Sequence, residues 1–208
     1  NELHTVQNGQ ALRGGNMALI AAGTGLGQAL LHNVDGQFIP SPSEGGHADY
    51  AARTERDVKV LRDLTRRFGR AEVEHVLSGP GLMNLFRVTH EGPCAAAVDA
   101  NDADGPATMT AAALDRRCAS CAEALEIFID AYGAEAGNVA VRLVSTAGLF
   151  IGGGIAPKIL PALTDGRFLR AFHDKGAMRP LVERMPVHII LNQDAGLLGA
   201  AVFGSRLR

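Results

Sequence analysis

Met17-Ala-Leu-Ile-Ala-Ala-Gly23-Thr24-Gly25-Leu-Gly27-Gln-Ala-Leu-Leu-His-Asn-Val-Asp35-Gly36-Gln-Phe-Ile39 decides the fold class. The first six residues are a short apolar run ahead of a glycine cluster, the pattern of a buried strand. A dinucleotide-binding fingerprint needs G-x-G-x-x-G opening a helix. Counted from Gly23 the third glycine falls one position early, and counted from Gly25 the sixth position is Leu30. The residues after the glycines also read as a strand, closed by Asp35-Gly36, a strong two-residue hairpin signal. A Rossmann unit is therefore excluded on spacing and context, and the stretch predicts a β-meander. Its Gly-Thr-Gly turn is either a plain β-turn or a hairpin whose N–H groups and Thr24 hydroxyl face a phosphate.

Immediately downstream lies Ser43-Glu44-Gly45-Gly46-His47-Ala48-Asp49. Two adjacent glycines are unfavourable in any regular element, and they serve where the chain turns tightly or approaches something closely. Glu44 accepts two hydroxyl hydrogen bonds side by side, and His47 donates or accepts one. That suits a hydroxyl-rich ligand such as a sugar; the alternative is a solvated surface turn. Glu74, 30 positions beyond Glu44, sits before the apolar pair Val76-Leu77, which reads as a strand entering the turn Ser78-Gly79-Pro80-Gly81.

Helical signals fill the middle of the chain. Thr54 with Asp57 at its third helical position forms a capping box for a helix over 54–68. Val58, Leu61, Leu64 and Phe68 recur at helical spacing, with Gly69 as the stop. Ser78 caps a helix over 82–88, residues 93–105 form a small, acidic loop, and an Ala-rich helix covers 108–116. A long helix is expected over 118–145, diluted by Gly133 and Gly137, which let another element approach. Cys118-Ala-Ser-Cys121 opens it. A zinc site would need a second pair and a redox role a thioredoxin-like setting, so these cysteines read as reduced packing thiols with no metal and no His ligand alongside. Gly148-Leu-Phe-Ile151 is a buried strand ending in Gly152-Gly153-Gly154, more glycine than a turn needs and flat enough to receive a planar ligand. Short helices over 157–163, 168–172 and 179–184, a strand over 187–191 and a small-residue helix over 196–207 complete the chain. Strands alternating with helices indicate an α/β fold.

Composition narrows the function classes. The chain has 208 residues, 47% of them apolar, enough for one large core or two small lobes. Net charge is −2 with acids and bases interspersed and no basic stripe, which argues against nucleic acid. No apolar run is long enough to span a membrane, no signal peptide is evident in the polar first ten residues, and three cysteines point to a reducing cytoplasm. The polar, Gly-rich residues 1–16 read as a linker or trimmed lead-in, and the absence of an initial methionine suggests a processed protein or fragment.

Six segments taken in order resemble the bacterial ATP-dependent glucokinases of the actin-like, ribonuclease-H-like superfamily. They are Ala22-Gly-Thr-Gly-Leu-Gly27, Ser43-Glu-Gly-Gly-His47, Leu77-Ser-Gly-Pro-Gly-Leu82, Cys118-x-x-Cys121, Phe150-Ile-Gly-Gly-Gly-Ile155 and Gly196-Leu-Leu-Gly199. The resemblance implies an α/β, ribonuclease-H-like lobe. It implies that Glu44, His47 and Glu74 hold glucose hydroxyls, that Thr24 and Gly25 lie in a phosphate motif, and that Gly153 and Gly154 lie in the adenosine motif. ATP and Mg2+ are the implied cofactors, with a homodimer as the implied assembly. Residues 17–193 would form the large C-terminal lobe, and 194–208 a helix returning toward an N-terminal lobe. The family's Asp-x-Gly-Gly-Thr loop and catalytic Asn-Asp pair do not occur here, so no catalytic base is expected in this chain and the 208 residues alone are expected to be inactive. A related sugar-kinase and repressor family with a structural zinc needs a cysteine cluster after the Glu-Gly-His segment, and residues 48–93 contain no cysteine. A stand-alone, non-catalytic sugar-binding or regulatory module remains the alternative.

Overall fold

The computed structural model describes residues 2–205. One six-stranded sheet runs in the order β1-β6-β5-β2-β3-β4. Strands β2 (Met17–Ala22), β3 (Leu26–Val34) and β4 (Gln37–Ser41) form the expected antiparallel meander. Asp35 and Gly36 both take positive φ, 52° and 86°, the mirror-image turn that matches strand twist in a two-residue hairpin. Strand β5 (Gly148–Gly152) lies parallel to β2, and β6 (Val187–Ile190) lies parallel to β5.

Residues 1–16 depart from the linker expectation. Leu3–Gln7 is strand β1, paired antiparallel with β6 in the register Leu3–Ile190. The pairing joins opposite ends of the chain, so no local periodicity announces it. The apolar pair Val76-Leu77 is not a strand either. Both amides fold back to the Val73 carbonyl, at 3.0 and 2.8 Å, as a turn ahead of the next helix. Four helices therefore separate the meander from β5, where an alternation of helices with single strands was expected.

Helix α1 (Glu55–Phe68) has the anticipated box, with Thr54 Oγ1 accepting from Asp57 N while Asp57 accepts from Thr54 N. Its buried face is Asp57, Val60 and Leu64, one step round from the expected stripe, which leaves Phe68 exposed. Asp57 is tolerated inside because it also accepts from Arg53 N and the Tyr50 hydroxyl. Helix α2 (Gly79–Thr89) starts earlier than expected, at the Ser78 cap. Helix α3 is Gly105–Leu114, and α4 is Ala119–Leu143.

The core is built on α4, whose Ala124, Phe128, Tyr132 and Ala136 are fully buried. One face of β2 contributes Ala18, Ile20 and Ala22, also fully buried. Tyr132 meets Phe128 and Phe168 edge-on at 5.7 and 6.0 Å, pairs worth about 0.5–1.5 kcal/mol each beyond area burial. A Cβ at Gly133 would lie 2.2 Å from the Phe168 carbonyl oxygen, and one at Gly137 2.6 Å from that of Phe172. These two glycines are what lets α6 (Arg167–His173) lie directly on α4. The short helices α5 (Leu160–Leu163) and α7 (Arg179–Val182) both contact α4 and α6. Helix α8 (Ala195–Ser205) ends the described chain; the expected extension to Leu207 falls outside it.

Candidate functional site

Three loops meet at the carboxyl ends of the parallel strands β2 and β5, where open α/β sheets bind ligands. The Gly23-Thr24-Gly25 turn closes with Gly23 N donating to Gly25 O at 2.9 Å. Gly79 N, at the start of α2, donates to Gly23 O at 2.8 Å. Ile155 N, beyond the triple glycine, donates to Ala22 O at 3.3 Å. Tyr132 locks the junction from below, accepting from Ala22 N at 3.3 Å and lying 3.3 Å from Gly152 O.

Between these loops opens a cavity of about 730 Å3, lined among others by Thr24, Glu74, Ser78, Arg87, Gly154 and Lys158. Gly154 projects nothing into it: no atom stands within 4 Å of where its Cβ would be. Gly153 differs. Its φ is +84°, and a Cβ there would lie 2.2 Å from Ala22 O. The far wall is the loop after α2, tied down by Arg87 Nη2 donating to Ala100 O at 3.0 Å. Lys158 makes no ion pair among the described residues, so it is a cation available at the rim.

The Glu-Gly-Gly-His segment folds as a 3-10 turn over Gly45–His47. It needs Gly46 above all, whose neighbour is backbone, whereas Gly45 meets the end of the Gln28 side chain. A Cβ on Gly45 would lie 2.2 Å from Gln28 Oε1, and one on Gly46 would lie 2.4 Å from Leu26 O, so the turn is pressed onto β3. A second extended segment pairs with it: Glu74 N donates to Gly46 O at 2.9 Å and Val73 N to Ala48 O at 3.0 Å, with an Asp49–Glu72 bridge beyond. Glu74 thereby arrives beside Glu44 and His47 from a turn, not from a strand mouth. Its Oε2 accepts from Leu26 N at 2.8 Å and lies 2.7 Å from where a Gly25 Cβ would stand. Gly25 thus gives Glu74 its room, and Thr24 and Glu74 face one cavity.

Glu72 escaped the sequence reading. Its Oε2 accepts from His47 Nδ1 at 2.7 Å. Arg70 braces the pair, bonding Asp49 at 2.7 Å and the His47 carbonyl at 2.7 Å. The His47 pKa rises, first through the hydrogen bond to Glu72, then through the charges of Glu72, Glu74 and Glu44. The Glu72 pKa falls chiefly through the same hydrogen bond. With Nδ1–H committed to Glu72, Nε2 is the nitrogen left for a ligand: an acceptor when neutral, a donor when protonated.

The Cys118-Cys121 pair is not alone, contrary to the expectation of no histidine alongside. Cys94 Sγ lies 3.7 Å from both sulfurs, and His90 Nε2 lies 3.5 and 3.8 Å from them.

The glucokinase family model matches residues 1–207. The chain belongs to the glucokinase family. A glucokinase from Nostoc sp. is 43% identical over 224 residues, covering 99% of this chain and 66% of the relative. One from Photorhabdus laumondii is 39% identical over 199 residues, covering 94% of this chain and 60% of the relative. The chain thus spans about two thirds or less of the length of these curated glucokinases. Among solved structures, a glucokinase from an Antarctic psychrotroph superposes with a TM-score of 0.83 at 31% identity, over 97% of this chain and 61% of that one. A ROK-family glucokinase from Streptomyces griseus, solved with glucose and AMPPNP, gives 0.61 at 20% identity over 92% and 61%, a likeness of fold. The fold is that of the actin-like sugar kinases. Among the described residues no helix is long and apolar enough to cross a membrane.

Proposed function

We propose that this chain supplies the glucose cradle and half of the nucleotide cleft of a glucokinase, which transfers the γ-phosphoryl group of ATP to the 6-hydroxyl of glucose. One observation carries the proposal. Glu74 bonds through its side chain to Leu26 N, the residue that follows the Gly23–Gly25 turn, and through its backbone to the Gly45–His47 turn. A single residue thereby fixes the distance between the hydroxyl-binding set and the glycine loop of the cavity. Phosphoryl transfer depends mostly on such positioning together with charge stabilisation.

Glu44, His47 and Glu74 are assigned to glucose hydroxyls. Thr24 and Gly25 are assigned to the phosphates, and Gly153 and Gly154 to adenosine. A volume of about 730 Å3 suits a nucleotide, and the bare Gly154 surface admits a flat base. ATP supplies the phosphoryl group, and Mg2+, which enters with the phosphates, neutralises their charge; no residue of this chain is assigned to the ion. Lys158 is placed to add positive charge at the rim.

Of the carboxylates at the cradle, Glu74 is engaged by Leu26 N and the neighbouring Glu72 by His47 and Arg70, and Glu44 is assigned to binding the sugar. The base for the sugar hydroxyl is therefore assigned to an N-terminal lobe outside these 208 residues. Helix α8 offers that lobe a seat, with Leu197 73% exposed beside exposed Leu198, Val202 and Phe203. A coupled assay for glucose 6-phosphate, run on the full-length protein and on this chain, tests the proposal. Turnover by the full-length protein alone is expected. Turnover by this chain at the full-length rate overturns the assignment of the base, and full-length protein that binds glucose without turnover points to a non-catalytic sugar-binding module.

A further inference from the structure

We infer that His90, Cys94, Cys118 and Cys121 form a structural Zn2+ site, remote in role from the sugar and nucleotide cleft. Their four ligand atoms lie within 4.8 Å of one another. Tetrahedral zinc with Zn–S near 2.3 Å and Zn–N near 2.05 Å requires sulfurs about 3.8 Å apart and sulfur–nitrogen pairs about 3.6 Å apart. The two cysteine pairs given by Cys94 are both at 3.7 Å, and the two pairs given by His90 Nε2 are at 3.5 and 3.8 Å. Four of the six pairs thus have zinc's spacing, the other two lie within 4.8 Å, and four ligand atoms leave no position open for water, as in a structural site.

The histidine is oriented for the task. Its Nδ1 lies 2.8 Å from the Phe86 carbonyl oxygen. A carbonyl only accepts, so Nδ1 carries the proton and Nε2 presents its lone pair to the sulfurs. Histidine ligands of metals are held by this kind of second hydrogen bond. The ring also stacks on Phe86 with centroids 3.8 Å apart, which fixes its plane. Cys118 is the N-cap of α4 and Cys121 the third residue of that helix, so the C-x-x-C spacing delivers both sulfurs to one side of the helix start. Cys118 and Cys121 are buried, and no disulfide joins them. Plain packing of thiols explains the burial but not an imidazole lone pair aimed among three sulfurs.

The sequence pattern is His-x3-Cys and Cys-x2-Cys, 23 residues apart (118 − 94 − 1). A soft, thiolate-rich tetrahedral set selects zinc over the oxygen-loving cations. On binding, each thiol loses its proton to solvent; Zn2+, three thiolates and a neutral imidazole leave a net charge of −1. Such an ion would clip three places together: the end of α2 at His90, the loop at Cys94 and the start of α4. The same loop continues to Ala100, Asp102 and Ala103, which wall the large cavity. The ion would thus hold that wall in position.

The test uses protein made in zinc-supplemented medium and purified without chelator or metal-affinity resin. Elemental analysis is expected to find about one zinc per chain, lowered at least roughly tenfold in Cys94→Ser and in His90→Ala. Both substitutions are at half-buried positions. Should either variant fail to fold, Co2+ exchanged into the unaltered protein reads the ligand set directly. The spectrum expected is that of tetrahedral cobalt with intense thiolate charge-transfer bands. Less than a tenth of a zinc per chain, with no uptake by the freshly reduced protein, overturns the inference. So does octahedral Co2+, or a Cys118–Cys121 disulfide as the isolated state.

Discussion

Two adjacent glycines, Gly153 and Gly154, should respond to alanine in opposite ways, and the difference comes from where each Cβ would go. At Gly153 φ is +84°, which costs an L-residue about 1–2 kcal/mol. The new methyl would also stand 2.2, 2.7 and 2.9 Å from the O, C and N of Ala22, where contact between carbons is normally about 3.5 Å or more. All three atoms are backbone of the central strand, so relief requires moving β2, and overpacking of that kind costs about 1–3 kcal/mol. Gly153→Ala should therefore lose about 2–5 kcal/mol, from a total stability on the order of 5–15 kcal/mol. Gly154→Ala meets nothing within 4 Å and should stay within about 0.5 kcal/mol of the parent. Its methyl, however, enters the cavity assigned to adenosine, and a methyl in a filled site costs about 1–3 kcal/mol, roughly one to two decades of nucleotide affinity. Urea unfolding gives the first quantity and calorimetric titration of ATP against the full-length protein the second. Parental stability in Gly153→Ala would refute the packing argument. Parental ATP affinity in Gly154→Ala would remove this glycine from the nucleotide site.

Two further outcomes are expected. Tyr132→Phe deletes a hydroxyl that is fully buried and accepts from Ala22 N; the urea midpoint should fall by the equivalent of about 1–3 kcal/mol with an unchanged slope, and an unchanged midpoint would show that the hydroxyl bonds contribute nothing. His47 should titrate above the ordinary histidine value of about 6.5 when monitored by NMR, and Glu72→Gln should bring it down. Because the folded pKa is the raised one, any stabilisation from the pair is fully present below the unfolded value and is lost as pH rises through the folded value; a His47 that titrates identically with and without Glu72 would contradict the 2.7 Å contact.

How much was legible in the sequence depends on the range of each interaction. The Thr54–Asp57 box, the Asp35-Gly36 hairpin and the Ser78 cap are set by neighbours three or four residues apart, and the structure places all three as read. Strand β1 was not legible, because its partner β6 lies at the other end of the chain. Val76-Leu77 looked like a strand by apolarity alone; the local turn onto Val73 O won, since it also presents Ser78 Oγ to Gly81 N. At the site, Glu44 and His47 were readable as a unit because the glycines between them serve no regular element. The carboxylate that orients His47 was not readable, being 25 positions away. His90 and Cys94 were missed for the same reason: a search for a second C-x-x-C pair passes over single ligands contributed by a helix end and a loop.

The central claim is that Glu44, His47 and Glu74 act together on sugar hydroxyls. Calorimetric titration of glucose into the full-length protein and its Glu44→Gln and Glu74→Gln variants tests it most directly, with ATP titrated separately as the control. Losing a hydrogen bond to a charged group costs about 1.5–3 kcal/mol, so glucose affinity should fall by roughly one to two decades in each variant while ATP affinity stays near the parental value. Glucose affinity unchanged in Glu74→Gln would reduce Glu74 to a brace for the Leu26 amide, and the three-residue cradle would be wrong.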